Sequence, residues 1–101
     1  MPITMTARFQ VHHEGMEQAK QAIRDFVDYV RENEPRTRLY TSAQQKDDET
    51  KFLHYFIFED DAAMQTHRNS EGVMKFTGIL YPLLVDSVEF TEYQQFHSTD
   101  E

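Results

Sequence analysis

Lys51 to Glu59 is apolar on both sides, because Phe52, His54, Phe56 and Phe58 alternate with Leu53, Tyr55 and Ile57. Successive side chains of a strand point to opposite faces, so an antiparallel strand of this composition calls for cover on both. One layer of helices covers only one face. A second copy of the chain is the simplest cover for the other; the alternative is a central strand that leaves some aromatics exposed.

The rest of the chain supplies the helical layer and the partner strands. Ile3 to Val11 alternates strictly, with Ile3, Met5, Ala7, Phe9 and Val11 on one face and Thr4, Thr6, Arg8 and Gln10 on the other, which predicts a strand with one buried face. After a turn at His12 to Gly15, Met16, Ala19, Ile23, Phe26, Val27 and Val30 recur at helical spacing, and the helix ends before Pro35. Thr37 to Gln45 reads as a second strand, joined to Lys51 to Glu59 by the polar run Lys46 to Thr50. Asp60 or Asp61 suits the N-cap of a short helix through Arg68, and Ser70 that of another from Glu71 to about Tyr81, with Val73, Phe76, Leu80 and Leu83 inward. Pro82 ends or kinks it. Asp86 to Phe96 is the expected last strand, with Val88 and Phe90 on one face, and His97 to Glu101 forms a polar end. The order β-α-β-β-α-β predicts an α+β fold of the ferredoxin-like type, a four-stranded antiparallel sheet with helices on one face. Residues 1–97 are expected to form a single domain and 98–101 a polar C-terminal tail.

Composition excludes several functions. The formal charge of −8, from 18 acidic and 10 basic residues, argues against nucleic acid as a partner, because that affinity comes largely from Lys and Arg. No cysteine is present, which removes disulfides, thiolate metal sites and thiol nucleophiles. No apolar run approaches the ~20 residues of a membrane span, and the N-terminal residues lack a basic region followed by an apolar one, so a cytoplasmic protein with no membrane partner is expected. His12 and His13 would point to opposite sides of a strand and chelate poorly, and no His-Glu-x-x-His spacing occurs, so no metal site is expected. Gly-rich phosphate loops and nucleophile elbows are absent.

Three ordered stretches resemble the antibiotic-biosynthesis-monooxygenase-like family of dimeric α/β barrels, quinol monooxygenase type. Arg31 to Thr37 is similar to the family's helix-to-strand turn, "NEPGT", with Arg36 where Gly is common. Lys51 to Met64 is similar to its third strand and following helix, and His67-Arg68-Asn69-Ser70 matches its "HxxS" step between two short helices. The resemblance implies a homodimer whose two sheets pack face to face. Two departures stand out: Phe56 where members often carry an acidic residue, and Glu71-Gly72 where a second His often follows the serine. The haem-degrading subgroup is disfavoured by the absence of Trp, by Arg8 or its neighbours where that subgroup has Asn, and by the absence of His from Val73 to Thr77.

Monooxygenation with no cofactor is open to a substrate that is itself electron-rich, because a deprotonated phenol or quinol can pass an electron to O2. The protein must supply a dry aromatic pocket, a proton acceptor and polar groups for the oxygens. The candidate catalytic residues are His67, which matches the family motif, and His54, which shares a strand face with Phe52, Phe56 and Phe58. Each could instead be structural, His67 at a helix end and His54 as a satisfied core or interface residue. Tyr40, Tyr55, Phe58 and Tyr81 are the candidate substrate-binding residues, with core or interface packing as their other reading. The functional expectation is a cofactor-independent monooxygenase acting on a small aromatic quinol or phenol. The alternatives are a non-catalytic dimeric small-ligand-binding or stress-response protein of the same fold, and an isomerase-, lyase- or dehalogenase-like relative that uses His67 or His54 without O2.

Overall fold

The computed structural model describes residues 1–100, and among them four strands and three α-helices follow the expected order: β1 Ile3–Gln10, α1 Met16–Asn33, β2 Thr37–Gln44, β3 Lys51–Phe58, α2 Asp61–Arg68, α3 Glu71–Leu80 and β4 Glu89–Tyr93. Short 3-10 turns at His13–Gly15 and Tyr81–Leu83 lead into α1 and out of α3, the second where Pro82 stops the α-helix. The strands form one antiparallel sheet in the order β2-β3-β1-β4, the ferredoxin-like arrangement. None of the helices among the described residues is long and apolar enough to cross a membrane.

Register decides which side chains share a face. Pairing of Met5 with Phe56, Ala7 with His54, Phe9 with Phe52 and Tyr40 with Phe56 puts all of them on the helix side. Two clusters form there. Phe9 and Phe52 meet Ile23, Phe26 and Val30 of α1 and Phe76 and Leu80 of α3; Met5, Ala7, Phe56 and Phe58 meet Ala63 and Met64 of α2. The helices α1 and α3 are locked by Phe26 and Phe76, whose rings stack 4.4 Å apart.

The opposite face has no helical cover. Its cross-strand rows are Leu39, Ile57, Thr4, Tyr93 and then Thr41, Tyr55, Thr6, Thr91. Leu39, Tyr55 and Tyr93 are exposed. Thr4 and Thr6 are buried even so: Thr4 stands between the larger Ile57 and Tyr93, and Thr6 between Tyr55 and Thr91 in the central row.

The last strand is shorter than the expected Asp86 to Phe96. Leu84 bridges Val11 and the Val85 N–H donates to Gln10 O at 2.9 Å, so the far end of β1 is already paired where the chain bends at Val85 and Asp86. Pairing resumes at Glu89 opposite Arg8 and stops at Tyr93 opposite Thr4, where β1 is nearly used up. Val88 is half-buried and Phe90 stays exposed. Residues 94–98 carry no regular structure, and Glu101 of the expected tail lies outside the described residues.

Gly72, on the first turn of α3, faces Tyr29 of α1. A Cβ there would overlap Cδ1 and Cε1 of the ring and stand 2.7 Å from Cγ. Gly72→Ala is therefore expected to cost about 1–3 kcal/mol, as overpacking does. Urea denaturation checks it, and Tyr29→Ala in the same chain should recover most of the loss. A neutral or stabilising Gly72→Ala would contradict the close approach.

Candidate active site

Two local motifs bring the polar residues together. At the end of α1 the Glu34 N–H donates to Val30 O at 2.9 Å and Glu34 O accepts from the Thr37 N–H at 3.0 Å, so the chain turns at Pro35 with the Glu34 side chain inward. At the other motif, Asp60 caps α2 by accepting from the Ala63 N–H at 2.9 Å, and Ser70 caps α3 by accepting from the Val73 N–H at 3.1 Å. The Ser70 N–H in turn donates to His67 O at 3.1 Å, which fixes the corner between α2 and α3 and directs His67 toward the sheet. Arg36, the departure from the family turn, ties β2 to the start of α2 by pairing with Glu59 at 2.9 Å and with Asp60.

The turn and the step meet. His67 Nδ1 lies 2.8 Å from Glu34 Oε1, which also accepts from Thr37 Oγ1 at 2.8 Å. Both side chains are buried, and Glu34 Oε2 has no hydrogen-bond partner among the described residues. An ionised carboxylate only accepts, so Nδ1 carries the proton, and Nε2 of a neutral His67 is left as an acceptor.

His54 has the opposite arrangement. Its Nδ1 is 2.7 Å from the Tyr40 hydroxyl, and its Nε2 is buried with no partner among the described residues. Burial pushes the His54 imidazole down to about 4, so it is neutral at physiological pH. Burial first, then the charges of Glu34 and Tyr81, push the Tyr40 phenol far up, so it keeps its proton. With the Tyr40 O–H donating to Nδ1, the ring proton of His54 sits on Nε2, which becomes a donor.

Both histidines line a cavity of about 310 Å³ where the two core clusters meet. Its walls are aromatic: Phe58 lies 5.0 Å from His67, Phe9 4.9 Å from His54, and Phe56 stacks on Tyr40 at 4.9 Å. That is near the lower bound for a small-molecule site, in keeping with an occupant of one or two rings. Tyr40 and Phe58 stand on the wall, and the exposed Tyr81 at the mouth. Tyr55 does not join them. It pairs with Thr6 and Thr41 on the uncovered face of the sheet, because its neighbours His54 and Phe56 take the helix side. The sequence reading assigned no role to Glu34 or Arg68, which also lines the cavity. Each sits inside a quoted motif, but the partner of Glu34 is 33 residues away and only folding brings it near. No cluster of three or more potential metal ligands occurs among the described residues.

Acidification should expose the cost of burying His54. Its folded value lies below the unfolded one near 6.5, so the unfolded chain binds the extra proton and stability falls as pH drops from about 6.5 toward about 4. The expected loss is about 3 kcal/mol relative to a His54→Gln variant, followed by urea denaturation across that range. Parallel pH profiles for the two proteins would contradict the buried neutral imidazole.

The sequence model of the family described as "Antibiotic biosynthesis monooxygenase" matches residues 2–78. No curated protein sequence matches the chain. Among solved structures, Rv0793 from Mycobacterium tuberculosis superposes with a TM-score of 0.89 at 17% identity, covering 98% of this chain and 99% of that one. PA3566 from Pseudomonas aeruginosa gives 0.85 at 24% identity, with 95% of each chain covered. A mutant of SnoaB, a cofactor-independent oxygenase from Streptomyces nogalater, gives 0.84 at 15% identity, covering 99% and 98%. These likenesses establish a shared fold.

Proposed function

Because the chain belongs to the antibiotic biosynthesis monooxygenase family, we propose that it is a monooxygenase that oxidises a small phenol or quinol with O2 in the cavity between sheet and helices, with no added cofactor. The observation that carries this reading is the opposite polarity of two imidazoles on one cavity. Glu34 leaves His67 with a free acceptor, and Tyr40 leaves His54 with a free donor.

A phenol hydroxyl placed between them loses its proton to His67 Nε2. The phenolate passes one electron to O2, and the two radicals combine to form a carbon–oxygen bond on the ring. The peroxide anion takes the proton back from His67 Nε2. Loss of water from the resulting hydroperoxide, with the hydrogen of the ring carbon that bears it, leaves the quinone, with one atom of O2 in the product and the other in water. Glu34 supports the imidazolium that forms on His67, and the His54 Nε2–H donates to the developing oxyanion. The aromatic walls exclude water, which strengthens both interactions.

A second reading, a non-catalytic binding or stress-response protein, is favoured by Phe56. It presents a ring to the cavity at the position where the resemblance leads one to expect an acidic side chain. Oxygen uptake on a panel of hydroquinones and polycyclic phenols separates the two. We expect protein-dependent uptake that falls by roughly 10²–10⁴-fold in His67→Ala, the usual contribution of a general base. Glu34→Gln, which keeps an acceptor for Nδ1, should retain more rate than Glu34→Leu. Binding with no uptake above autoxidation would favour the binding protein.

The same reading includes a homodimer formed through the uncovered face of the sheet. Leu39, Tyr55 and Tyr93 are exposed there, beside the half-buried Ile57. Thr6 Oγ1, in the central row, is buried without a hydrogen-bond partner among the described residues. Light scattering should return twice the 12.0 kDa of one chain, and Ile57→Glu should shift the mass toward one chain. A wild-type mass of 12.0 kDa would refute the dimer.

A further inference from the structure

Arg68 is the only Lys, Arg, Asp or Glu among the described residues that line the cavity. The chain has 18 acidic residues to offer it, yet Arg68 takes part in none of the ion pairs among the described residues. Nor is it needed to finish α2. Gln65 O accepts from Asn69 N at 3.1 Å and Asn69 Nδ2 at 2.9 Å, and His67 O accepts from Ser70 N. Arg68 is exposed, whereas His54, on the same cavity, is buried. The cavity thus has a buried end with hydrogen-bonding groups and an open end with a positive charge.

We propose that the substrate is an anionic phenol, with its hydroxyl between His67 and His54 and a carboxylate on its far end held by Arg68 at the mouth. This rests on reading the cavity as the site of a small aromatic phenol, and it names the class of that phenol. A guanidinium matches a carboxylate with two parallel N–H donors, a geometry that a neutral quinol cannot use. No carboxylate side chain lines the cavity to repel the anion. Arg68 is in this sense a specificity-determining residue: it selects the ligand and orients it, and the proton transfer belongs to His67.

The test is equilibrium binding under argon, followed by calorimetry at pH 7, with 2-naphthol, 6-hydroxy-2-naphthoate and 3-hydroxy-2-naphthoate as probes. The wild-type protein is expected to bind 6-hydroxy-2-naphthoate roughly tenfold more tightly than 2-naphthol, the scale of one charge-assisted hydrogen-bonded contact. Added salt should reduce that preference. In 3-hydroxy-2-naphthoate the acid lies beside the hydroxyl, away from the mouth, and the gain should disappear. Arg68→Met should bind 2-naphthol and 6-hydroxy-2-naphthoate alike, Arg68→Lys should keep part of the preference, and circular dichroism verifies that both variants fold. Equal wild-type affinities, a preference that survives in Arg68→Met, or no binding of either probe would each overturn the proposal. Oxygen is excluded from the assay, so a protein that shows the preference but consumes no O2 would sink the monooxygenase reading and leave the anionic ligand class standing.

Discussion

A carboxylate and an imidazole buried against each other are the constraint on which the site depends. Taken singly, each would be costly in such apolar surroundings, and together they offset much of that cost only if the geometry is held. Glu34 comes from the end of α1, His67 from the last turn of α2 and Thr37 from the start of β2, so one hydrogen-bonded group joins three elements. The same contact fixes the tautomer of His67. Structure and chemistry are thus coupled at one oxygen atom, Glu34 Oε1.

The second polar pair is built differently. His54 and Tyr40 are neutral groups on adjacent strands, with Ser42 opposite His54 and Tyr40 opposite Phe56 in the register. Neither needs a counter-charge, and burial itself keeps both neutral. Aromatic rings pack against both pairs, with Tyr40 stacked on Phe56 and His67 tilted against Phe58, so that the polar atoms face an otherwise apolar cavity. The strand β3 therefore has two jobs set by its pleat. His54, Phe56 and Phe58 build the site, and Leu53, Tyr55 and Ile57 build the uncovered face.

Most of the fold was legible because it is local. Strict alternation in β1, helical spacing in α1, Asp60 and Ser70 as caps, and Pro82 as a stop each act within a few residues of themselves, and the structure has them where the sequence places them. The end of the chain was not legible in the same way. The composition from Asp86 to Phe96 permits a strand throughout, but pairing needs a partner, and β1 offers one to Glu89–Tyr93 only. The burial of Thr4 and Thr6 likewise depends on which side chains stand across from them.

By itself the sequence determined the order of elements, the ferredoxin-like plan, the aromatic character of the interior and the presence of His67 and His54 as its candidate chemical groups. The tertiary structure decided which groups act together. It put Tyr55 on the far side of the sheet from Tyr40, paired Glu34 with His67, and left Arg68 without a carboxylate at the cavity. The physical reason is range. Periodicity and capping act over one or two turns of chain, whereas a hydrogen bond of 2.8 Å across 33 residues exists only once helices and sheet have packed.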